Sequence, residues 1–371
     1  MTSSGQSKIN VLYVLDKSGF GGVQSIAYAL MRQKPDDVEM HYLFLRNING
    51  RFGMQDVDQP NVHYSHDRSR FSLSSFVTLK RLVHEKRIDV AHMNGNKAIL
   101  YGILLKLFFP HLVLLAHDHG GVFDYKWWYK VALRCSRPFY RFFLCVSRRR
   151  KEFYLKECHV SSSRVKMINN FFDMERIRAV GRETVAERDG SQDTFMIGYV
   201  GGLSPLKGCD LLLRALPEIQ KQLPGTCVMI AGDGPQKQRL ERLADTLQVS
   251  EFVSFLGYVK QPSEVYSSID VLVIPSRAEE GPITLYEAWA SGVPVVASDA
   301  PVLDERIQNG ETGIHFRSEN SEDLAAKVIL LARDQGLSEK VVSGGKRQVT
   351  ELTCEKYVQQ LETIYLEACS A

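Results

Sequence analysis

A chain of 371 residues, 44% hydrophobic and 24% charged, has the balance of a soluble globular protein and the length for two domains. Net charge is only +3, but residues 1–175 hold 26 Lys/Arg against 15 Asp/Glu, while residues 176–371 hold 20 against 28. Such asymmetry predicts that the first half faces an anionic surface, either membrane or nucleic acid.

The polar opening MTSSGQSK is followed by no apolar segment of the secretory kind, so no signal peptide is expected. Ile9–Leu15 reads as a buried strand, running into Ser18-Gly19-Phe20-Gly21-Gly22 and a helix over Val23–Leu30. Strand, glycine loop and helix let backbone approach a ligand, although the spacing is not the dinucleotide G-x-G-x-x-G. Further alternation predicts strands at Glu39–Leu45, Ile88–His92 and Leu112–Ala116, with helices at Ser74–Glu85 and Lys97–Phe108. Alternating strands and helices predict α/β architecture with parallel sheets. The apolar run from Ala98 to Ala116 is broken by Lys106, Pro110 and His111, so it reads as a helix and a strand rather than a membrane span.

Polar groups gather where the strand at Leu112–Ala116 ends, in His117-Asp118-His119-Gly120-Gly121. A lone histidine is more often structural, but two beside a glycine turn merit a functional reading; nothing nearby completes a metal site. Residues 125–156 then carry ten Lys/Arg against one acid, Glu152. Trp127, Trp128, Tyr129, Phe139, Tyr140, Phe142 and Phe143 are interleaved with them. Basic residues with interfacial aromatics suit an anionic membrane surface. No signature of a nucleic-acid module accompanies them, and the competing reading is a core strand at Phe142–Val146 with a solvated charged face. Seven scattered cysteines without a Cys-x-x-Cys pair read as reduced cytosolic thiols.

After the strand and turn of Val165–Asp173, the polar residues Arg182–Asp193 suggest an interdomain linker. A second α/β series follows. Phe195–Val200 opens into Gly201-Gly202-Leu203-Ser204-Pro205-Leu206-Lys207-Gly208 and a helix, placing Lys207 as a point charge in a phosphate-friendly turn. Strands follow at Cys227–Ala231, ending in Gly232-Asp233-Gly234-Pro235, then at Val253–Leu256, Val271–Ile274 and Val295–Ser298. Between the last two, Glu279 lies in a loop, and Pro282 is placed in the first turn of a helix that carries Glu287 and ends at Gly292. The N–H groups of Ile283, Thr284 and Leu285 would then face outward, an anion site flanked by two carboxylates. A nucleotide-sugar, with hydroxyls on either side of a diphosphate, has the matching form. Helical patterns close the chain at Glu322–Arg333, Glu339–Thr350 and Cys354–Cys369.

Four ordered motifs of the second half resemble the retaining family-4 glycosyltransferases of the GT-B fold. They are Gly201-Gly202-Leu203 with Lys207-Gly208, Ala231-Gly232-Asp233-Gly234-Pro235, Glu279 with Glu287 in an E-x₇-E arrangement, and Ser291-Gly292-Val293-Pro294-Val295-Val296. Fainter echoes at Gly21-Gly22, Asp89–His92, Cys145–Ser147 and Asn170–Asp173 extend the resemblance over nearly the whole chain. It implies two Rossmann-like domains facing each other across a deep cleft. An acceptor domain would span 1–175, with the C-terminal helix at about 354–371 packing back on it, and a donor domain 176–353.

The resemblance further implies a metal-independent hexosyltransferase that uses a nucleotide-sugar co-substrate and no cofactor. It would act on a lipid-linked or saccharide acceptor in polysaccharide or glycolipid synthesis, peripherally at the cytoplasmic face of a membrane. Glu287 would take the ribose hydroxyls, Glu279 the donor sugar and Lys207 the diphosphate. Gly21 and Gly22 would approach the donor, and Gly202, Gly232, Gly234, Gly281, Pro282, Ile283, Thr284 and Leu285 would line its site. His119, with His117 as second choice, would stand near the anomeric centre.

Two departures stand out. Gly202 occupies a position where the family frequently has Arg, a charge that Arg277 would have to replace, and Glu280-Gly281 stands where a Gly/Ser-Phe pair is common. Rival readings are another GT-B enzyme, such as a sugar-nucleotide epimerase or a phosphorylase, and a non-catalytic sugar-nucleotide-binding subunit. No lysine is identifiable as the pyridoxal phosphate anchor a phosphorylase needs.

Overall fold

Short apolar segments decide where the strands fall, because a strand covered on both faces has no place for polar alternation. The computed structural model describes residues 8–19, 21–33, 35–46, 59–65, 72–120, 127–174, 177 and 194–370. The expected linker at Arg182–Asp193 lies outside them, as do Gly121 and the first two residues of the basic stretch. The chain divides into two compact units, Met1–Asn170 with Cys354–Ala371, and Phe171–Thr353.

In the first unit, the described residues form one parallel sheet of seven strands: β1 (Ile9–Leu15), β2 (Val38–Phe44), β3 (Val62–Tyr64), β4 (Val90–Asn94), β5 (Val113–Asp118), β6 (Phe142–Cys145) and β7 (Val165–Met167). Their order is β3-β2-β1-β4-β5-β6-β7, so the direction of winding reverses between β1 and β4. Ligands of open α/β sheets bind outside the carboxyl ends of strands at such a reversal. Asp16, just beyond β1, accepts N–H bonds from Lys97 and Ala98 at the start of the helix Asn96–Phe108, tying the ends of β1 and β4 together. Burial raises the pKa of its carboxyl, and the two N–H bonds oppose that shift.

The C-terminal helix Cys354–Cys369 belongs to this first unit, burying Tyr357, Leu361, Ile364, Tyr365 and Ala368. Their helical spacing is the pattern visible in the sequence. Lys166 pairs with Glu367 at 2.8 Å on the same helix.

The basic, aromatic stretch contains the core strand of the competing reading. It forms the helix Trp127–Ser136, strand β6 and a short helix from Arg148 to Glu152. Tyr129, Tyr140, Phe142 and Phe143 are buried in the core, and of the quoted aromatics Trp127 is largely exposed, at 75%, and Trp128 about a third, at 37%. Several of the cations are held internally: Lys130 by Glu157 at 2.9 Å, Arg134 by the Glu157 carbonyl, Arg137 by the His159 carbonyl and Arg150 by Asp118.

The second unit repeats the scheme with β8 (Met196–Val200), β9 (Cys227–Ala231), β10 (Val253–Gly257), β11 (Val271–Ile274), β12 (Val295–Ser298) and β13 (Ile314–Phe316), all parallel, in the order β10-β9-β8-β11-β12-β13. Its reversal lies between β8 and β11. Sequence reading missed β3 and the helices Lys237–Thr246 and Pro301–Arg306. The helix Lys237–Thr246 buries only Leu240 and Ala244, which is too thin an apolar stripe to mark a helix among charges.

Candidate functional site

In the second unit, the loop after β8 carries Lys207 and the loop after β11 carries Glu279, so the sheet's reversal makes them neighbours. Lys207 Nζ lies 2.6 Å from Glu279 Oε1. Ser276 Oγ donates to the same oxygen at 2.7 Å, holding a carboxylate that is 8% exposed. Close approach of the two loops depends on Gly208, which has φ +64 and whose added Cβ would run into the Pro275 carbonyl. The Arg277 N–H donates to the Leu206 carbonyl at 2.8 Å and joins the loops a second time.

The helix Ile283–Ser291 begins one residue later than expected, with Pro282 as its N-cap, and ends at Gly292 in the left-handed conformation. Leu285 differs from the sequence reading: its N–H donates to the Pro282 carbonyl at 3.1 Å and does not face outward. Among the described residues, Ile283 and Thr284 keep first-turn N–H groups without a backbone acceptor. Glu287, one turn on, is buried and accepts from the Tyr266 hydroxyl at 2.9 Å. Ser276 and Tyr266 were not singled out in the sequence. No motif marks them, and only the packing brings them to the carboxylates.

Gly232 and Gly234 sit against backbone. A Cβ on either would collide with the carbonyl of Gly201 or Leu203, while Leu203 N–H donates to Asp233 O at 2.9 Å. Their direct job is to seat the Gly201–Leu203 loop. Gly202 is exposed, and an added Cβ there meets nothing closer than the Asp233 carbonyl at 4.0 Å. Gly281 lies in the loop before the helix, partly exposed.

Arg277 does not replace the charge absent at Gly202. Its NH1 donates to Pro205 O and Asp210 Oδ1 at 2.7 and 2.8 Å, its NH2 to Asp210 Oδ2 and Glu319 Oε2 at 3.0 and 3.1 Å, and its Nε to Glu319 Oε1. All five donors of a guanidinium are thereby engaged. Hydrogen bonds to the two carboxylates raise its pKa further. Arg277 is a clamp between loops.

In the first unit, Gly21 and Gly22 are exposed at the start of the helix Gly22–Met31, with Gly21 at φ +154. His117, next to last in β5, is fully buried, and His119, just beyond the strand, is partly exposed. Their rings lie 4.0 Å apart between centroids. Asn94, at the end of β4, gives its amide nitrogen to the His92 carbonyl and faces His119 Nε2 with its oxygen at 3.4 Å. Asp118 accepts from the Gly120 N–H at 2.8 Å and from Arg150 and Tyr154, which fixes the turn carrying His119. Burial, with the charge of Arg150, lowers the pKa of His119 to about 3, and burial keeps His92 and His117 neutral as well. Among the described residues, no group of three or more His, Cys, Asp or Glu could hold a metal ion.

Two family models match the chain in turn. Residues 20–176 match the model described as Glycosyltransferase Family 4, and residues 182–348 the one described as Glycosyl transferases group 1. An uncharacterized glycosyltransferase of Methanocaldococcus jannaschii is 38% identical over 161 residues, 43% of this chain and 41% of that protein. Alpha-monoglucosyldiacylglycerol synthase of Acholeplasma laidlawii is 28% identical over 178 residues, 47% of this chain and 44% of the synthase. The GDP-mannose-dependent alpha-(1-6)-phosphatidylinositol monomannoside mannosyltransferase of Mycolicibacterium smegmatis is 36% identical over 143 residues, 36% of this chain and 37% of that enzyme. The matched segments thus span less than half the length of these relatives. A crystal structure of Anabaena HepE in complex with UDP and glucose superposes with a TM-score of 0.81 at 19% identity, covering 95% of this chain and 98% of HepE. That likeness shows the fold, two Rossmann-like halves of the GT-B type.

Proposed function

The chain belongs to the family-4 glycosyltransferases of the GT-B fold, and from that premise we propose that it moves a sugar from a nucleotide-diphospho-sugar to a hydroxyl of a lipid-linked or saccharide acceptor. The observation that carries this reading is the Lys207–Glu279 pair beside the N-terminus of the helix Ile283–Ser291, with buried Glu287 one turn further. An incoming diphosphate competes with Glu279 for the ammonium of Lys207 and accepts from the N–H groups of Ile283 and Thr284. Glu279 is then free to accept from the donor sugar, and Glu287 from the ribose. The complexes of HepE with UDP and glucose and with UDP-glucose, and the glycolipid-forming names among the relatives, support the two substrate classes.

A glycosyl diphosphate already contains a good leaving group, so positioning and stabilisation of developing phosphate charge provide most of the catalysis. The acceptor oxygen bonds to the anomeric carbon on the face the diphosphate leaves. The bond from that carbon to the diphosphate oxygen breaks, and the acceptor proton passes to the departing phosphate. The configuration is retained. Lys207 and the helix N-terminus supply the positive charge, so the reaction needs no divalent ion. Exposed Trp127 and Trp128 on a basic unit support docking at the anionic cytoplasmic face of a membrane during polysaccharide or glycolipid assembly.

Nucleotide release measured with and without a lipid-linked acceptor, each in excess EDTA, tests the proposal. The expected result is acceptor-dependent release insensitive to EDTA, with a product anomer matching the donor. Sugar isomerisation or free nucleotide without acceptor would point to the epimerase reading, binding without turnover to a non-catalytic subunit, and magnesium-dependent activity would remove the metal-free mechanism.

A further inference from the structure

Four side chains of the first unit, three of them buried, form a line from the C-terminal helix to the end of β5. The Tyr365 hydroxyl lies 2.7 Å from His92 Nδ1, His92 Nε2 lies 3.0 Å from His117 Nδ1, and the His117 ring stands over His119. Tyr365 is 1% exposed, and His92 and His117 are fully buried. Burial holds all three histidines neutral and the phenol protonated, so each ring carries one proton and two protons are shared along the line.

We propose that Tyr365 and His92 are positioning residues that hold His117 with its proton on Nε2. In this arrangement Tyr365 donates to His92 Nδ1, and His92 Nε2–H donates to His117 Nδ1. The reverse arrangement runs His117 Nδ1–H to His92 Nε2 and His92 Nδ1–H to the Tyr365 oxygen. It strands the Tyr365 hydroxyl proton, whose hydrogen bond among the described residues is the one to His92, and also leaves His117 Nε2 as a buried lone pair without a donor. The first arrangement leaves one buried group unpartnered, the His117 Nε2–H; the second leaves two, and each carries a desolvation cost.

His119 is set independently. Asn94 presents its amide oxygen, which can only accept, so the His119 proton sits on Nε2 and Nδ1 is a bare acceptor. Among the described residues, His119 Nδ1 and His117 Nε2 are the ring nitrogens of the pair left without partners. The pair thus carries one unpartnered donor, His117 Nε2–H, and one unpartnered acceptor, His119 Nδ1, on rings 4.0 Å apart. The inference rests on the proposed sugar transfer and on the strand-end histidines taking part in it.

Long-range ¹⁵N–¹H correlation spectra of the full-length chain, labelled at histidine, read each tautomer directly. The expected result is Nε2–H at His92, His117 and His119; Nδ1–H at His117 in the wild-type chain would overturn the proposal without recourse to any variant. In Tyr365→Phe the two arrangements strand equal numbers of groups, so mixed tautomers are expected at His92 and His117 with His119 unchanged. The same variant is expected to lose about 3- to 10-fold in kcat/KM, the effect of one hydrogen bond. Unaltered tautomers in Tyr365→Phe would remove the phenol as the controlling group. Full kcat/KM in His119→Ala, with wild-type tautomers as expected, would instead remove the histidines from the transfer reaction.

Discussion

In the proposed transfer Lys207 is the residue on which the reaction would depend most directly, because Arg277 is fully engaged with Asp210 and Glu319 and no second side-chain cation is assigned to the diphosphate. Lys207→Ala is expected to lower turnover about 10²-fold or more, by comparison with removal of one preorganised donor elsewhere. Steady-state nucleotide release, with circular dichroism to check folding, decides it; near wild-type turnover would refute the assignment. Glu279 and Glu287 were legible as a pair in the sequence because their spacing about a proline-started helix is local. Tyr266 and Ser276 were not, since each reaches its carboxylate only through the fold.

Among elements, the two loops after β8 and β11 behave as one part. Gly208→Ala would place a non-glycine residue at φ +64 and push its Cβ into the Pro275 carbonyl. The backbone conformation alone costs about 1–2 kcal/mol, before the collision is relieved. The expected outcome is a loss of stability of at least that size in urea titration, with donor affinity falling in parallel as the Lys207–Glu279 distance opens. Unchanged donor affinity in a folded Gly208→Ala chain would show that the loops do not act together. Helices and strands with dense apolar runs were readable from periodicity, while Lys237–Thr246 and β3 were hidden by their sparse burial.

For the molecule as a whole, His92 and His117 give a pH dependence of stability with a definite sign. Burial lowers the pKa of His92 to about 3 and that of His117 well below its ordinary value. An unfolded chain takes up protons at these sites below about pH 6.5, and the folded chain does not, so stability falls as pH drops below that value. Each histidine contributes a slope of about 1.4 kcal/mol per pH unit in this window. Urea denaturation at about pH 7.5 and about pH 5.5, above the ordinary carboxylate range, should show the loss, and His92→Gln should remove the share of that one histidine, with His117 and His119, also lowered by burial, keeping theirs. An equal pH slope in the variant would contradict the assignment. Membrane docking belongs to the same scale. Co-sedimentation with anionic vesicles at low salt is expected for the wild-type chain and weakened by Trp127→Ala with Trp128→Ala; no wild-type binding would end the idea.

The sequence by itself determined the two α/β series, the parallel sheets, the glycine turns and the acidic helix, because each is set by periodicity or by the few residues that tolerate a given backbone. It also marked the C-terminal helix by its apolar stripe, but its attachment to the first unit, through Tyr365 and His92, required the fold. Tertiary structure alone decided that Arg277 is spent on Asp210 and Glu319, that Leu285 N–H turns inward and that most of the basic stretch's aromatics are core. Each of these is a matter of partners distant along the chain. Composition counts charges and rings, whereas strand order and packing decide what they touch.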